Sequence, residues 1–137
     1  MKTNFGRLLM TIGFSAVLGS SLLEAQLKPK GRAEIPFAFH VRDAALPAGT
    51  YTVEEVSTTG TIAITDNETG KAILTLAPAN RLGRSDESKL VFNKYGDRYF
   101  LSELWFAGKG VGDCVSMGKL EREVRSSPPA IATVAMR

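Results

Sequence analysis

Apolar and polar residues alternate in several short runs along this chain. Between positions 35 and 41, Ile, Phe, Phe and Val alternate with Pro, Ala and His. A period of two places successive side chains on opposite faces, so this pattern predicts a half-buried β-strand. Comparable runs predict five more strands, at 50–53, 62–64, 72–76, 89–95 and 98–106. One face of the strand at 72–76 is formed by Ala72, Leu74 and Leu76.

Residues that favour turns separate these runs. Leu-Pro-Ala-Gly at 46–49 and Asp-Asn-Glu-Thr-Gly at 66–70 each end in a glycine. Proline presets one backbone angle of a turn, and glycine accepts a positive φ. The polar segment 78–88 is expected to be an exposed loop.

The clearest hairpin signal lies around Gly96 and Asp97. Glycine at the first of two central positions is typical of a type II′ turn. The resulting register pairs Tyr95 with Arg98, Phe92 with Leu101, and Leu90 with Glu103. The second strand of the hairpin is apolar on both faces. It is therefore expected to be central in a two-layer structure, since aromatic strands fill cores, or else to expose one face as a binding surface.

The pattern changes near the C-terminus. Leu120 and Val124 lie four residues apart among charged residues, which predicts a short amphipathic helix from 119 to 125. Within that helix, Glu121 can meet Arg125 across one turn.

The segments on either side of this helix have weaker patterns. Three glycines at 108–112 predict a flexible connector before it, and the prolines at 128 and 129 prevent its continuation. Residues 126–137 are expected to form a mobile tail, although 131–136 can instead add an edge strand.

Short strands without intervening helices are typical of a mainly β domain. The expected architecture is an antiparallel β-sandwich or a small barrel of about six strands, with one short C-terminal helix. Residues 26–125 are the expected extent of this single domain.

Residues 1–25 combine a positive start, a long uncharged run and small residues near Ala25. This order is typical of a secretory signal peptide, with cleavage expected after Ala25. A transmembrane anchor is the alternative, but the uncharged run is marginal in length and contains several Gly, Ser and Thr residues. The chain is therefore expected to be exported to the periplasm or the cell exterior.

Export changes how charge and cysteine usage are interpreted. Without 1–25 the chain has 112 residues, with fifteen basic and thirteen acidic side chains scattered along it. No basic stripe favours nucleic acid or an anionic membrane. Cys114 is the sole cysteine, so an internal disulfide cannot form. Its thiol can pair two copies as an intermolecular disulfide, or it can lie buried as a small apolar side chain.

Few residues suit catalysis or metal binding. His40 is the only histidine, and nothing in the sequence brings it near Cys114, so a nucleophile–base pair is not expected. One histidine and one cysteine are too few for a zinc site, and the acidic turn at 66–70 lacks the ligand spacing of a calcium loop. No enzymatic activity, metal or cofactor is predicted.

Four segments together resemble a family of small exported bacterial proteins of the acidobacterial type. They are Ala-Glu-Ile-Pro-Phe-Ala-Phe at 33–39, Leu-Pro-Ala-Gly-Thr-Tyr-Thr-Val at 46–53, the hairpin at 90–102, and Glu-Arg-Glu-Val at 121–124. The family has no established activity. The resemblance therefore implies an exported β-domain and supplies no catalytic residues.

Two functions remain open. The first is a non-catalytic β-domain that binds a protein, a glycan or an envelope component. Aromatic rings anchor interfaces and stack on sugars, and arginine supplies directional donors, so its expected contact residues are Tyr95, Arg98, Tyr99 and Trp105. The second is a small barrel that carries an apolar ligand, with a cavity lined by Phe37, Phe39, Leu101 and Trp105.

Overall fold

The computed structural model describes residues 28–137. The predicted signal peptide lies outside the described residues. Within the described range, no helix has the length and apolar character needed to cross a membrane.

The described chain is mainly β, with one short helix. Its strands are β1 (Lys30–Ile35), β2 (Phe39–Val41), β3 (Ala44–Leu46), β4 (Gly49–Glu55), β5 (Thr61–Asp66), β6 (Ala72–Leu76), β7 (Ala79–Leu82), β8 (Lys89–Tyr95), β9 (Arg98–Trp105), β10 (Val111–Cys114) and β11 (Ala130–Ala135). The helix, α1, spans Lys119–Val124, close to its predicted extent.

These strands form two sheets. The four-stranded sheet has the order β1-β4-β5-β6 and is antiparallel throughout. The seven-stranded sheet has the order β11-β8-β9-β10-β7, and β2 and β3 join it through a parallel bridge between His40 and Phe100. The sheets do not close into a barrel, so the barrel alternative is wrong, and the expected count of six strands is too low.

The predicted strand at 35–41 is divided into two. β1 ends at Ile35 in the four-stranded sheet, and β2 begins at Phe39 in the seven-stranded sheet. Pro36 has no N–H to donate to a ladder, which explains why pairing stops there. The chain passes from one sheet to the other at this point.

Three further strands lie where the sequence predicts turns, a loop or a connector. β3, β7 and β10 have three or four residues each, which is too few for an alternating pattern to be recognised. β10 forms because β9 and β7 supply hydrogen-bonding partners on both of its sides. The glycine-rich segment is therefore partly a central strand and not only a connector.

The C-terminal segment forms β11, in agreement with the edge-strand alternative to a mobile tail. β11 pairs with β8 along its whole length, from Ala130 opposite Lys94 to Ala135 opposite Lys89. Val134 packs against the core. Apolar burial therefore accompanies backbone pairing in this segment.

The β8–β9 hairpin has the predicted register from its turn as far as the Phe92–Leu101 pair. Gly96 has a φ of +58°, and Asp97 is not among the residues with positive φ, as a type II′ turn requires. Beyond Phe92 a β-bulge shifts the register, so that Leu90 lies opposite Leu104 and not Glu103. The bulge places Leu104 in the core, where it is fully buried.

Both sheets contribute to one hydrophobic core. The Phe39 ring meets the Tyr51 ring edge-on at 5.1 Å between centroids, and it meets the Phe92 ring at 5.5 Å. Tyr51 belongs to the four-stranded sheet and Phe92 to the seven-stranded sheet, so these aromatic contacts join the two.

Candidate functional site

The four residues predicted to bind a partner are spread along the length of the β8–β9 hairpin. Tyr95 and Arg98 flank the turn of the β8–β9 hairpin, whereas Trp105 lies at the other end of β9. Trp105 comes seven positions after Arg98 on the strand, which corresponds to roughly 20 Å. A single small ligand cannot contact both ends.

Tyr99 belongs to the edge of the core. Its ring stacks on Phe37 with a centroid distance of 3.8 Å and an interplanar angle of 13°. Phe37 itself packs against the core cluster, and Lys94 Nζ lies 5.4 Å from the Tyr99 centroid. These neighbours leave Tyr99 half-buried.

Trp105 is held on the outer face of the seven-stranded sheet by its own neighbours. Its Nε1 donates to Glu103 Oε2 at 2.8 Å, and Glu103 forms an ion pair with Arg81. A Cβ placed at Gly112 would lie 2.7 Å from Trp105 Cζ2, and one placed at Gly83 would lie 3.0 Å from its Cη2. The indole ring therefore packs directly against glycine backbone.

The helix α1 connects to the turn end of the hairpin through a buried carboxylate. Glu121, only 4% exposed, accepts hydrogen bonds from Tyr95 Oη at 3.1 Å and from Asn93 Nδ2 at 3.0 Å. Burial, reinforced by this carboxylate, raises the pKa of Tyr95. In the described residues Glu121 forms no ion pair with Arg125, contrary to expectation, because its side chain bonds to the sheet instead.

His40 and Cys114 are not joined into a nucleophile–base pair. The His40 ring stacks on Phe100 at 4.9 Å between centroids, while Cys114 lies opposite Glu103 at the end of β10. No hydrogen bond connects the two side chains within residues 28–137. Burial, with a smaller contribution from Glu103, raises the pKa of the Cys114 thiol and so disfavours the reactive thiolate. An intermolecular disulfide through Cys114 stays a prediction.

The described residues contain no group of three or more His, Cys, Asp or Glu side chains arranged to hold a metal ion. The acidic turn at 66–70 instead satisfies its own backbone. Asp66 Oδ1 accepts the N–H groups of Glu68 and Thr69, and Gly70 has a φ of +72°.

None of the four clefts described in residues 28–137 is the cavity expected for an apolar ligand. Phe39 and Leu101 are 1% and 2% exposed and lie within the packed core. Four surface clefts, of about 330 to 590 Å³, are lined by other residues than the four predicted. The ligand-carrier hypothesis therefore lacks its barrel, and none of these four clefts has the predicted lining.

An ionic cluster links the two sheets. Lys109 Nζ lies 2.5 Å from Glu55 Oε2 on β4, and 2.8 and 2.9 Å from the two carboxylate oxygens of Asp113 on β10. Burial alone would lower the pKa of Lys109, but hydrogen bonds to both carboxylates outweigh it and raise that pKa. Burial raises the pKa of Asp113, partly opposed by Lys109. This cluster is structural, because it connects β4 of one sheet to β10 of the other.

The edges of the sheets differ in how they are protected. β1 carries exposed Lys30, Arg32 and Glu34, and the Arg32 backbone exchanges hydrogen bonds with Arg137 beyond β11. β3 has three residues and is followed by Pro47. β7 has four residues, carries Arg81, and pairs with β10 through a register irregularity. β11, the other edge of the seven-stranded sheet, directly follows Pro129, and Met136 after it bridges to Ala33 of β1. Charge, shortness, proline and bulges all discourage additional strand pairing.

β6 has none of these features within the described part of the chain. It has five residues, Ala-Ile-Leu-Thr-Leu, without charge or proline, and its register with β5 is regular. Leu74 is 68% exposed and Leu76 is 59% exposed. We call the side chains of Ala72, Leu74 and Leu76, with the unpaired backbone of this strand, the β6 edge.

A cleft of about 370 Å³ adjoins the β6 edge. Its lining is Arg42, Thr59, Leu76, Pro78, Asn80, Cys114, Val115 and Ser116. Arg42 has a φ of +54° in the two-residue turn between β2 and β3. A Cβ placed at Gly118 would lie 3.1 Å from the Cα of Arg42, so this turn packs closely against the start of α1.

The sequence pattern correctly placed Ala72, Leu74 and Leu76 on one face but did not indicate that this face is exposed. Ile73 on the opposite face is also apolar, and it packs against the core. A strand with apolar residues on both faces leaves the choice of inner face open. The uncharged composition of 72–76 was the available signal for an unprotected edge.

Comparisons of this chain with protein-family models, with curated proteins and with solved structures found no match.

Proposed function

We propose that this chain is an exported, non-catalytic β-sandwich domain that binds a polypeptide through the β6 edge. The observation that carries the proposal is the exposure of Leu74 and Leu76 on an edge strand without charge, proline or bulge. Isolated exposed leucines need no explanation, but two on one unprotected edge mark an interaction surface.

The chemistry of this edge favours protein over glycan as the partner class. An added strand is recognised through main-chain hydrogen bonds, and apolar side chains at alternate positions supply specificity. Sugar sites use aromatic platforms with free polar groups. Here Tyr95 and Trp105 are far apart along the hairpin, and their polar atoms already bond to Glu121 and Glu103.

Several observations are in keeping with a binding role without catalysis. The His40 ring stacks on Phe100, and Lys109 is bonded to two carboxylates. Export rests on the pattern of residues 1–25.

The test compares two leucine variants in cells that export the protein. Leu74→Lys places a charge on the β6 edge, whereas Leu82→Lys places the same charge on β7, where the leucine is 89% exposed. Tagged proteins are cross-linked in situ, and captured polypeptides are quantified by mass spectrometry. We expect Leu74→Lys to reduce the captured partner at least tenfold and Leu82→Lys to leave it unchanged. Equal capture by both variants and the wild type would contradict the proposal.

A further inference from the structure

We propose that the polypeptide bound by the β6 edge is a second copy of this chain, paired antiparallel through β6 across a two-fold axis. This inference rests on the proposed function, because it names the partner of the same edge. It follows from the direction of the β6 backbone groups and from the symmetry of the β6 side chains.

The odd-numbered residues of β6 and its flanks direct their backbone towards β5. The Lys71 carbonyl accepts the Asp66 N–H at 2.8 Å, and the Ala77 N–H donates to the Gly60 carbonyl at 2.8 Å. Hydrogen-bonded positions alternate along an antiparallel strand. Ala72, Leu74 and Leu76 therefore present their N–H and C=O groups to the open edge.

One register uses all three of these positions. With the two-fold axis at Leu74, Leu74 lies opposite Leu74 of the second copy, and Ala72 lies opposite Leu76. Each such pair can exchange both of its hydrogen bonds. If the axis lies at Ile73 or Thr75 instead, only two of the three outward-facing positions of β6 find an outward-facing position of the other β6 opposite them. The Leu74-centred register is therefore favoured.

The side chains are self-complementary in the same register. Leu74 meets Leu74, and the larger Leu76 meets the smaller Ala72, which extends an apolar strip across the axis. Because 72–76 carries no charge, the second copy meets no like-charge repulsion along the paired strands. A two-fold contact of this kind is closed, since each β6 has a single open edge.

The proposed contact is small. Two paired strands of five residues bury less than the 1,200–2,000 Å² or so that is typical of a stable interface. We therefore expect a weak, reversible dimer with a dissociation constant on the order of 10–100 µM, as for small transient interfaces.

The experiment is sedimentation velocity of the purified protein in reductant, from about 5 µM to about 1 mM. The expected result is a mass that rises from monomer to dimer and stops there. Leu74→Lys should weaken the dimer at least tenfold, whereas Leu82→Lys and Cys114→Ser should leave it unchanged. A monomer at every concentration, growth beyond the dimer, or a dimer indifferent to Leu74→Lys would overturn the inference.

Cysteine cross-linking tests the register independently of any folding defect. In the Cys114→Ser background, Leu74→Cys places two cysteines opposite one another at about 5.5 Å between Cα atoms, within reach of a disulfide. Leu76→Cys places them four residues apart along the strands, at roughly 13 Å, which is too far. With oxidised glutathione, we expect rapid dimer formation from Leu74→Cys only. Equal cross-linking of both variants, or faster cross-linking of Leu76→Cys, would contradict the register.

The two proposals can fail separately. If the protein stays monomeric but Leu74→Lys still abolishes partner capture in cells, self-association is wrong and polypeptide binding stands. If Leu74→Lys changes neither the mass nor the capture, both proposals are wrong.

Discussion

At the level of single residues, the ammonium group of Lys109 connects β4 to β10. Glu55 and Asp113 lie on different sheets, and each contacts Lys109 Nζ. Asp113 is only 1% exposed, so its carboxylate depends on Lys109 in place of water. Removal of one partner leaves a buried charge uncompensated, which is more costly than loss of a surface pair.

Lys109→Met should lower the free energy of unfolding by about 3 kcal/mol, the usual cost of breaking a buried pair. Lys119→Met is the matched control, since Lys119 is 82% exposed and lies 3.9 Å from Glu123. The control should change stability by less than about 0.5 kcal/mol. Urea unfolding followed by circular dichroism measures both variants. Equal effects of the two would show that the cluster adds nothing to stability.

Gly112 illustrates a second constraint at single-residue scale. Gly112→Ala places a Cβ 2.7 Å from the Trp105 ring, closer than real Cβ contacts allow, so stability should fall by about 1–3 kcal/mol. Gly49→Ala is the control, because its nearest neighbour would lie 3.8 Å away. Combining Gly112→Ala with Trp105→Leu should recover most of the loss in a double-mutant cycle measured by urea unfolding. Additive losses would show that Trp105 is not the obstacle.

At the scale of elements, pairing matters more than local pattern. β3, β7 and β10 are short, and their sequences resemble turns or loops. Each is a strand because a neighbour completes its ladder. β11 is stabilised by apolar burial as well as by pairing, since Val134 faces the core while Thr133 faces solvent.

The two faces of β11 give a direct test of its role. Val134→Asp should destabilise the protein by about 2 kcal/mol or more, because it places a charge against the core. Thr133→Asp should change stability by less than about 0.5 kcal/mol. Thermal unfolding of both variants at neutral pH is the measurement. If both substitutions are neutral, residues 130–135 behave in solution as the mobile tail that the sequence predicts.

At the scale of the whole molecule, folding raises the pKa of four groups in residues 28–137 that titrate above neutral pH: Tyr51, Tyr95, Lys109 and Cys114. Their ordinary values are 10.0 for tyrosine, 10.5 for lysine and 9.0 for cysteine. Above these values the unfolded chain has lost protons that the folded chain still holds. The contribution of these four groups to the free energy of unfolding is therefore fully present below about pH 9 and decreases as the pH rises above it.

Urea midpoints measured from pH 8 to pH 11 should decrease steadily. The double variant Lys109→Met with Tyr95→Phe removes two of the four groups, so its midpoint should depend less steeply on pH. A wild-type midpoint that stays constant or rises over this range would contradict the raised pKa values.

The sequence alone predicted those features that depend on neighbouring residues. The mainly β class, the II′ turn at Gly96 and the helix near 119–125 all follow from local pattern and turn chemistry. The hairpin register followed as far as Phe92, because a tight turn determines the pairing of residues close to it. The bulge beyond it could not be predicted, since it results from the burial of Leu104 in the shared core.

Packing between distant strands determines which apolar face is buried and which residues meet. The alternation at 72–76 shows that Ala72, Leu74 and Leu76 share a face, but packing of the second sheet on Ile73 makes that face the exposed one. Likewise, Glu55 and Asp113 lie far apart along the chain and become neighbours only through two packed sheets. Local sequence determines the direction of side chains along a strand, whereas contact between distant strands determines what those side chains touch.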